Sequence, residues 1–310
     1  MIDLDAGRPG RAARVSIVLG RMGNYVVTVL GATGKTGRHV VQRASERDWL
    51  VRAAGRRPAA YGEWVTFDWD DESTWLAAFA GSDAAYIVIP FNHPGAPTRA
   101  PQVIQVAVAA GVPRIVLLST FDVEHAPEDD PTRVAEQTLA GLAVRSAMVR
   151  PTWFLDNFTV GSFAGMLACG ELRLPAGEGL IPFVDTRDVA AVAVAAMAPE
   201  GPEGPLPVTG PERVDHHTVA AAFAAVLGVP VRYLSVSAQE FVGLLMARGF
   251  SQEYGEFLAD ALIEVAEGRL DIPVADTVQR LIGRRAYSVS EFARYYAQTT
   301  ASDPVANRRP

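Results

Sequence analysis

The sequence predicts an α/β fold: a doubly wound parallel sheet, followed by a smaller, mostly helical region. Three observations carry this. From Asn24 onward, short runs rich in β-branched residues alternate with alanine-rich stretches of helix length. The strand-like runs are apolar on both faces, as expected of strands covered by helices on each side. After Pro151 the alternation loosens and helical segments dominate.

Taken in order, the strand-like runs are Tyr25–Leu30, Leu50–Ala54, Trp64–Phe67, Ala84–Ile89, Arg114–Leu118 and Ala147–Arg150. Between them lie helix-length segments Gly37–Arg47, Ser73–Ala80, Ala100–Ala110 and Thr132–Leu142. Asp70 or Asp71 can cap the second helix and Gly81 stop it. Gly111-Val112-Pro113 ends the third and opens the next strand. Beyond Pro151, Gly and Pro cluster at Pro199–Pro211. Helical segments follow near Thr218–Leu227, Ala238–Arg248, Glu253–Glu267 and Ser290–Ala297. The expected organisation is an N-terminal tail over 1–22 and a doubly wound domain over 23–150. A substrate-binding region with some strands returning to the sheet covers 151–299, and a C-terminal tail 300–310.

Composition narrows the classes. The 310 residues are 49% hydrophobic and 20% charged, which suits a folded chain with a sizeable core. The net charge of −7 argues against nucleic acid or anionic membrane as partner. A single cysteine, Cys169, excludes an internal disulfide and any multi-cysteine metal site, and suits a reducing compartment. The apolar runs Val103–Val112 and Val189–Ala198 are half the roughly 20 residues a membrane span needs. Asp3 and Asp5 stand where a signal peptide would be cationic, so a cytoplasmic protein, monomer or homodimer, is expected.

The strongest local motif is Val29-Leu30-Gly31-Ala32-Thr33-Gly34-Lys35-Thr36-Gly37, placed between the first strand and the first helix. Glycines at 31, 34 and 37 allow a tight turn and close backbone approach to a pyrophosphate, and the helix N-terminus offers amide donors. The spacing is G-x-x-G-x-x-G, so Gly31, Thr33, Gly34, Lys35, Thr36 and Gly37 are candidate cofactor contacts of a Rossmann-type domain. Gly34-Lys35-Thr36 mimics the end of a triphosphate P-loop, but that motif needs glycine where Val29 stands. After the second strand, Ala53-Ala54-Gly55-Arg56-Arg57 carries no carboxylate for a ribose diol. Arg56 offers a planar fork to a 2′-phosphate, with Arg57 or Lys35 adding charge, which favours NADP(H). By topology, Asp68 and Trp69 can meet the adenine, Ile89 and Pro90 the ribose channel, and Ser119 and Thr120 the nicotinamide.

Lys35 is the only lysine, and the residue four before it is Gly31. A tyrosine activated by a lysine four residues later therefore cannot exist here. Thr132–Leu142 also contains no tyrosine. A cationic iminium accepts hydride without a proton donor, and a quinone is a second suitable acceptor.

Three segments carry a family resemblance. They are Gly31–Gly37, Gly111–Ser119, and Val149-Arg150-Pro151-Thr152-Trp153-Phe154-Leu155-Asp156-Asn157-Phe158, with Phe67-Asp68-Trp69, Ile181–Val184 and Val208–Glu212 in support. The chain, over about residues 25 to 297, resembles the NmrA-like atypical short-chain reductases, above all the agroclavine and festuclavine dehydrogenase branch and its bacterial relatives. The resemblance implies NADPH and an active site without the tyrosine–lysine pair. It places Pro151, Thr152 and Trp153 by the nicotinamide, with Phe154 and Asn157 shaping a pocket. The wider group also contains quinone reductases and a redox-sensing regulator without turnover.

Further pocket candidates are Phe158, Phe91, Phe121 and Glu136, and the reading for Trp153, Phe154 and Phe158 divides between aromatic pocket walls and domain-junction core. Asp156 or Glu136 can face an iminium cation. His93 and His125 lie in loops on the ligand side, as proton donors or plain surface residues. Asp188 is expected to cap a helix, His216 and His217 to be structural, and Cys169 to be a buried or neutral thiol. No metal-ligand spacing is present. The expected activity is an NADPH-dependent reductase of a small conjugated or cationic acceptor in secondary metabolism; the alternative is a dinucleotide sensor without turnover.

Overall fold

The computed structural model describes residues 25–90 and 93–302. Seven strands form one all-parallel sheet: β1 (Val26–Leu30), β2 (Leu50–Gly55), β3 (Glu63–Thr66), β4 (Ala84–Val88), β5 (Arg114–Leu118), β6 (Arg145–Pro151) and β8 (Gly204–Val208). Their order is β3-β2-β1-β4-β5-β6-β8. The order reverses between β1 and β4, so the ligand crevice of a doubly wound sheet falls outside their carboxyl ends.

The period of two along each strand divides its side chains between two cores. Val27, Val29, Tyr86, Val116 and Val149 face the helices α1 (Gly37–Ser45), α6 (Thr186–Met197) and α10 (Thr277–Ile282). Leu30, Ile87, Ile115 and Leu117 face α2 (Trp75–Phe79), α3 (Ala96–Ala109) and α4 (Pro131–Ala140). Helix α6 is built of alanine and valine and is buried along nearly its whole length, so small side chains let it lie close against both sheet and α1.

A third core belongs to the later part of the chain. There α5 (Ala164–Ala168), α7 (His216–Leu227), α8 (Ala238–Met246), α9 (Gln252–Ala266) and α11 (Val289–Ser302) pack with β7 (Glu171–Leu174) and β9 (Arg232–Ser235). These two strands pair in parallel as a separate small sheet.

Some expectations are corrected. The Gly/Pro cluster near 199–211 holds edge strand β8 in register with β6, Pro205 opposite Met148 and Pro207 opposite Arg150. Both prolines are exposed while Leu206 and Val208 are buried, and an edge position tolerates their missing N–H groups. Helix α3 starts four residues before the expected Ala100, because Pro97 in its first turn costs no helical bond. Asp185, not Asp188, caps α6 by accepting from the Arg187 amide. Asp188 is instead fully buried; its Oδ1 lies 2.7 Å from the Arg284 guanidinium and its Oδ2 accepts from the Tyr287 amide. Cys169 is exposed. Helix α11 continues to Ser302. Residues 1–22 and Phe91 lie outside the described residues.

Candidate active site

Residues 31–36 turn the chain from β1 into α1. Gly31 adopts φ +64°, a left-handed conformation that glycine accepts without cost, and its carbonyl accepts from the Gly34 amide at 2.8 Å. A Cβ at position 37 would stand 2.1 Å from that same carbonyl oxygen, so only glycine lets the helix start this close to the strand. The first turn of α1 closes on its own chain: the Arg38 amide donates to the Gly34 carbonyl at 3.2 Å, and the His39 and Val40 amides donate to the Thr36 carbonyl at 3.0 Å. Thr33 and Gly34 are exposed there. The Thr36 hydroxyl is buried and accepts from Tyr86 Oη at 3.0 Å, so that side chain supports the turn from below.

Arg56 and Arg57 stand exposed just past β2, and neither is ion-paired among the described residues. Asp68 and Trp69 follow β3. The Asp68 carboxylate accepts from the Asp70 amide, which makes it a turn former, while Trp69 stays half-exposed with its edge against Phe67. Ile89 and Pro90 are half-buried at the end of β4, and Thr120 is exposed after β5.

At the end of β6 the chain enters the later region. Pro151 and Thr152 are buried, and the Thr152 hydroxyl donates to the Pro182 carbonyl at 2.7 Å. Trp153 and Phe154 are half-buried, the first packed on the helical core and the second on the sheet core. Phe158 is fully buried among Phe163, Phe183 and Phe223; it is core and does not line a pocket.

β1 and β6 are three strand spacings apart, about 14 Å. The 3₁₀ turn Leu155–Phe158 nevertheless comes back to the first helix through two bridges. Lys35 Nζ donates to Asn157 Oδ1 at 2.7 Å, and Arg38 Nη2 pairs with Asp156 Oδ1 at 2.8 Å. Asp156 is buried and its other oxygen accepts from the Thr186 hydroxyl at 2.9 Å. Burial raises its pKa, with those bonds and Arg38 opposing. Burial also lowers the pKa of Lys35, while Asp156 acts to raise it. The Lys35 side chain is thus turned to Asn157. Gly161 makes room for it, because a Cβ at 161 would stand 2.8 Å from Nζ. Neither Arg38 nor Gly161 carries a sequence signal for this role.

Glu136 is engaged as well. Arg150 grips both of its oxygens, with Nε 2.9 Å from Oε1, and the buried Ser119 hydroxyl donates to it. Ser119, Glu136 and Asp156 thus meet protein partners, so neither carboxylate is open to an iminium cation. Phe121 lines a separate open cleft of about 260 Å³ with Arg150 and the edge prolines Pro205 and Pro207. Both ring nitrogens of His93 are taken, one by Asp70 and one by the Gly95 amide. His125 is exposed and paired with Asp122. No cluster of His, Cys, Asp and Glu among the described residues could hold a metal ion.

A family model described as NAD(P)H-binding matches residues 31–199, which contain the glycine turn and run to the end of α6. The chain belongs to that family. It is 30% identical over 289 residues to the NAD(P)H azoreductase of Xenophilus azovorans, covering 88% of this chain and 98% of the relative. To the (4-alkanoyl-5-oxo-2,5-dihydrofuran-3-yl)methyl phosphate reductase of Streptomyces griseus it is 32% identical over 292 residues, covering 90% and 100%. Agroclavine dehydrogenase of Claviceps purpurea, at 26% over 285 residues (86% and 96% covered), bears out the resemblance to that branch of the NmrA-like reductases. An NADPH-dependent quinone oxidoreductase of Escherichia coli complexed with NADPH shares the fold, with TM-score 0.75 at 24% identity over 87% of this chain and 99% of that one.

The protein is an NAD(P)H-dependent oxidoreductase on a Rossmann-type sheet. Its own residues fit the cofactor. Thr33 and Gly34 of the glycine turn are exposed at the start of α1, and Arg56 and Arg57 stand exposed at the β2 corner with no ion-pair partner among the described residues. No helix among the described residues is long and apolar enough to cross a membrane.

Proposed function

We propose that the protein is an NADPH-dependent reductase that passes hydride to a small, flat, conjugated acceptor of quinone, azo or imine type, in a biosynthetic setting. The observation that carries this reading is the bridge between the glycine turn and the 151–158 segment. Lys35 and Arg38 tie Asn157 and Asp156 to the glycine turn and the first helix, which supports a position of Trp153 and Phe154 beside the cofactor.

Bound on the glycine turn, the reduced dinucleotide supplies the hydride. The protein supplies position and field. The α1 N-terminus and Gly31–Gly37 hold the diphosphate, and Arg56, with Arg57, takes the 2′-phosphate in a charge-assisted fork. Trp153 and Phe154 give a half-buried aromatic wall against which a planar acceptor stacks. The α4 helix carries no tyrosine, so the reaction runs without a lysine-activated phenol.

The test is titration of the purified protein with NADPH, NADP, NADH and NAD, followed by tryptophan fluorescence. Loss of reduced-nicotinamide absorbance is then measured with acceptors of each type. Micromolar binding of NADPH well ahead of NADH, turnover of a conjugated acceptor, and loss of that turnover in Trp153→Ala with cofactor affinity retained are the expected results. Absence of dinucleotide binding overturns the reading; tight binding of oxidised and reduced forms alike without turnover of any acceptor favours a dinucleotide sensor.

A further inference from the structure

The β2 corner, which has no carboxylate of its own, receives one from the neighbouring loop. β2 and β3 are paired, with Gly55 opposite Thr66, and the Phe67 amide donates to the Gly55 carbonyl at 3.3 Å. The turn over residues 68–71 follows at once, so it stands beside the Gly55–Arg56 step. Its Asp70 side chain is exposed and is held from two other places in the fold. His93, between β4 and α3, meets Oδ2 at 3.2 Å, and Arg99 in α3 meets Oδ1 at 3.2 Å.

This arrangement is built. A Cβ at Gly95 would stand 2.7 Å from Arg99 Nε, so that glycine makes room for the guanidinium, whose Nη1 also donates to the Trp69 carbonyl. The Gly95 amide donates to His93 Nδ1 at 3.1 Å, which leaves the ring proton on Nε2 to be donated to Asp70. His93 is thereby neutral, and Arg99 is the cation that balances Asp70. The His93 hydrogen bond leads in holding the Asp70 carboxyl below its ordinary value, with the charges of Arg99 and Arg56 adding to it. The carboxylate thus stands within the field of Arg56.

We propose that Arg99 is a positioning residue for cofactor choice: by pairing with Asp70 it keeps that carboxylate from Arg56 and leaves Arg56 to the 2′-phosphate of NADPH. This rests on the reductase reading above, with Arg56 as the 2′-phosphate contact. An uncompensated carboxylate repels a phosphate, whereas the hydroxyls of an unphosphorylated ribose donate to it. Without Arg99, Asp70 is free to pair with Arg56 and to accept from the ribose diol, and the corner turns toward NADH. Without Asp70, Arg99 becomes a further cation for the phosphate.

The experiment measures dissociation constants of NADPH and NADH by tryptophan fluorescence for the wild type, Arg99→Gln, Asp70→Asn and the double variant, each at low and at high salt. In Arg99→Gln the preference for NADPH over NADH is expected to fall by about fivefold, through weaker NADPH and tighter NADH. In Asp70→Asn it rises by about threefold, and the double variant returns close to the wild-type ratio. Both shifts shrink at high salt, because exposed charges are screened.

An Arg99 that merely holds its loop in place would weaken both cofactors alike, in the single and in the double variant. That result, or an unchanged ratio in Arg99→Gln, overturns the proposal and leaves the reductase reading standing. A wild type that binds neither dinucleotide overturns the reading, and the proposal with it.

Discussion

The His216→Leu variant tests how far the fold depends on keeping one imidazole neutral. His216 is fully buried in the first turn of α7, with Phe183 and Tyr233 each 5.3 Å away between ring centroids and Phe158 at 6.1 Å. Neither ring nitrogen has a hydrogen-bond partner among the described residues. Burial pushes its pKa down from 6.5 to about 4, with Asp215 opposing. Below pH 6.5 the unfolded chain therefore binds a proton that the folded chain refuses, and stability falls with pH until the folded-state value is passed. With those two values the loss is about 2 kcal/mol at pH 5 and approaches about 3 kcal/mol near pH 4. Leucine has similar volume and no proton to bind, so the variant escapes this loss. Urea unfolding followed by tryptophan fluorescence at pH 7.5 and pH 5 reads the difference. The gap in stability between variant and wild type should move by about 2 kcal/mol in favour of leucine on acidification. His39, also pushed down to about 4 by burial, acts in both proteins and cancels. A gap that stays constant across this range refutes the reasoning.

Other substitutions probe the site and its frame. Gly37→Ala drives a Cβ into the Gly31 carbonyl; calorimetry should show a loss of about 1–3 kcal/mol in stability, and the fluorescence titration should show dinucleotide binding abolished. Arg56→Ser should weaken NADPH by about ten- to a hundredfold and leave NADH unchanged, since one charge-assisted contact to the 2′-phosphate is lost; parallel titrations measure it. Asp188→Ala leaves Arg284 without its carboxylate against a buried site and should cost about 3–5 kcal/mol in chemical denaturation.

Much of the frame is legible in the chain because it is local. Val27, Val29, Tyr86 and Val116 alternate with Leu30, Ile87, Ile115 and Leu117 because both faces of a central strand are covered, and that pattern survives in one dimension. The glycine turn is legible for the same reason: Gly31, Gly34 and Gly37 collide with nothing further away than each other. Strand β8 was hidden because Pro205 and Pro207 read as breakers unless an edge position is known. The short strands β7 and β9 hold each other across some sixty residues of chain and show no signal of their own.

The candidate site divides along the same line. The sequence by itself determined the parallel sheet, the phosphate-binding turn and the arginines at the β2 corner, since each depends on neighbours within a few residues. Only the tertiary structure decided that Phe158 is core, that Glu136 and Asp156 are engaged by Arg150 and Arg38, and that the single lysine reaches Asn157. The Lys35–Asn157 and Arg38–Asp156 pairings join residues over a hundred positions apart. They arise when helices and strands pack and chain-distant charges become each other's nearest partners, and no spacing along the chain records that.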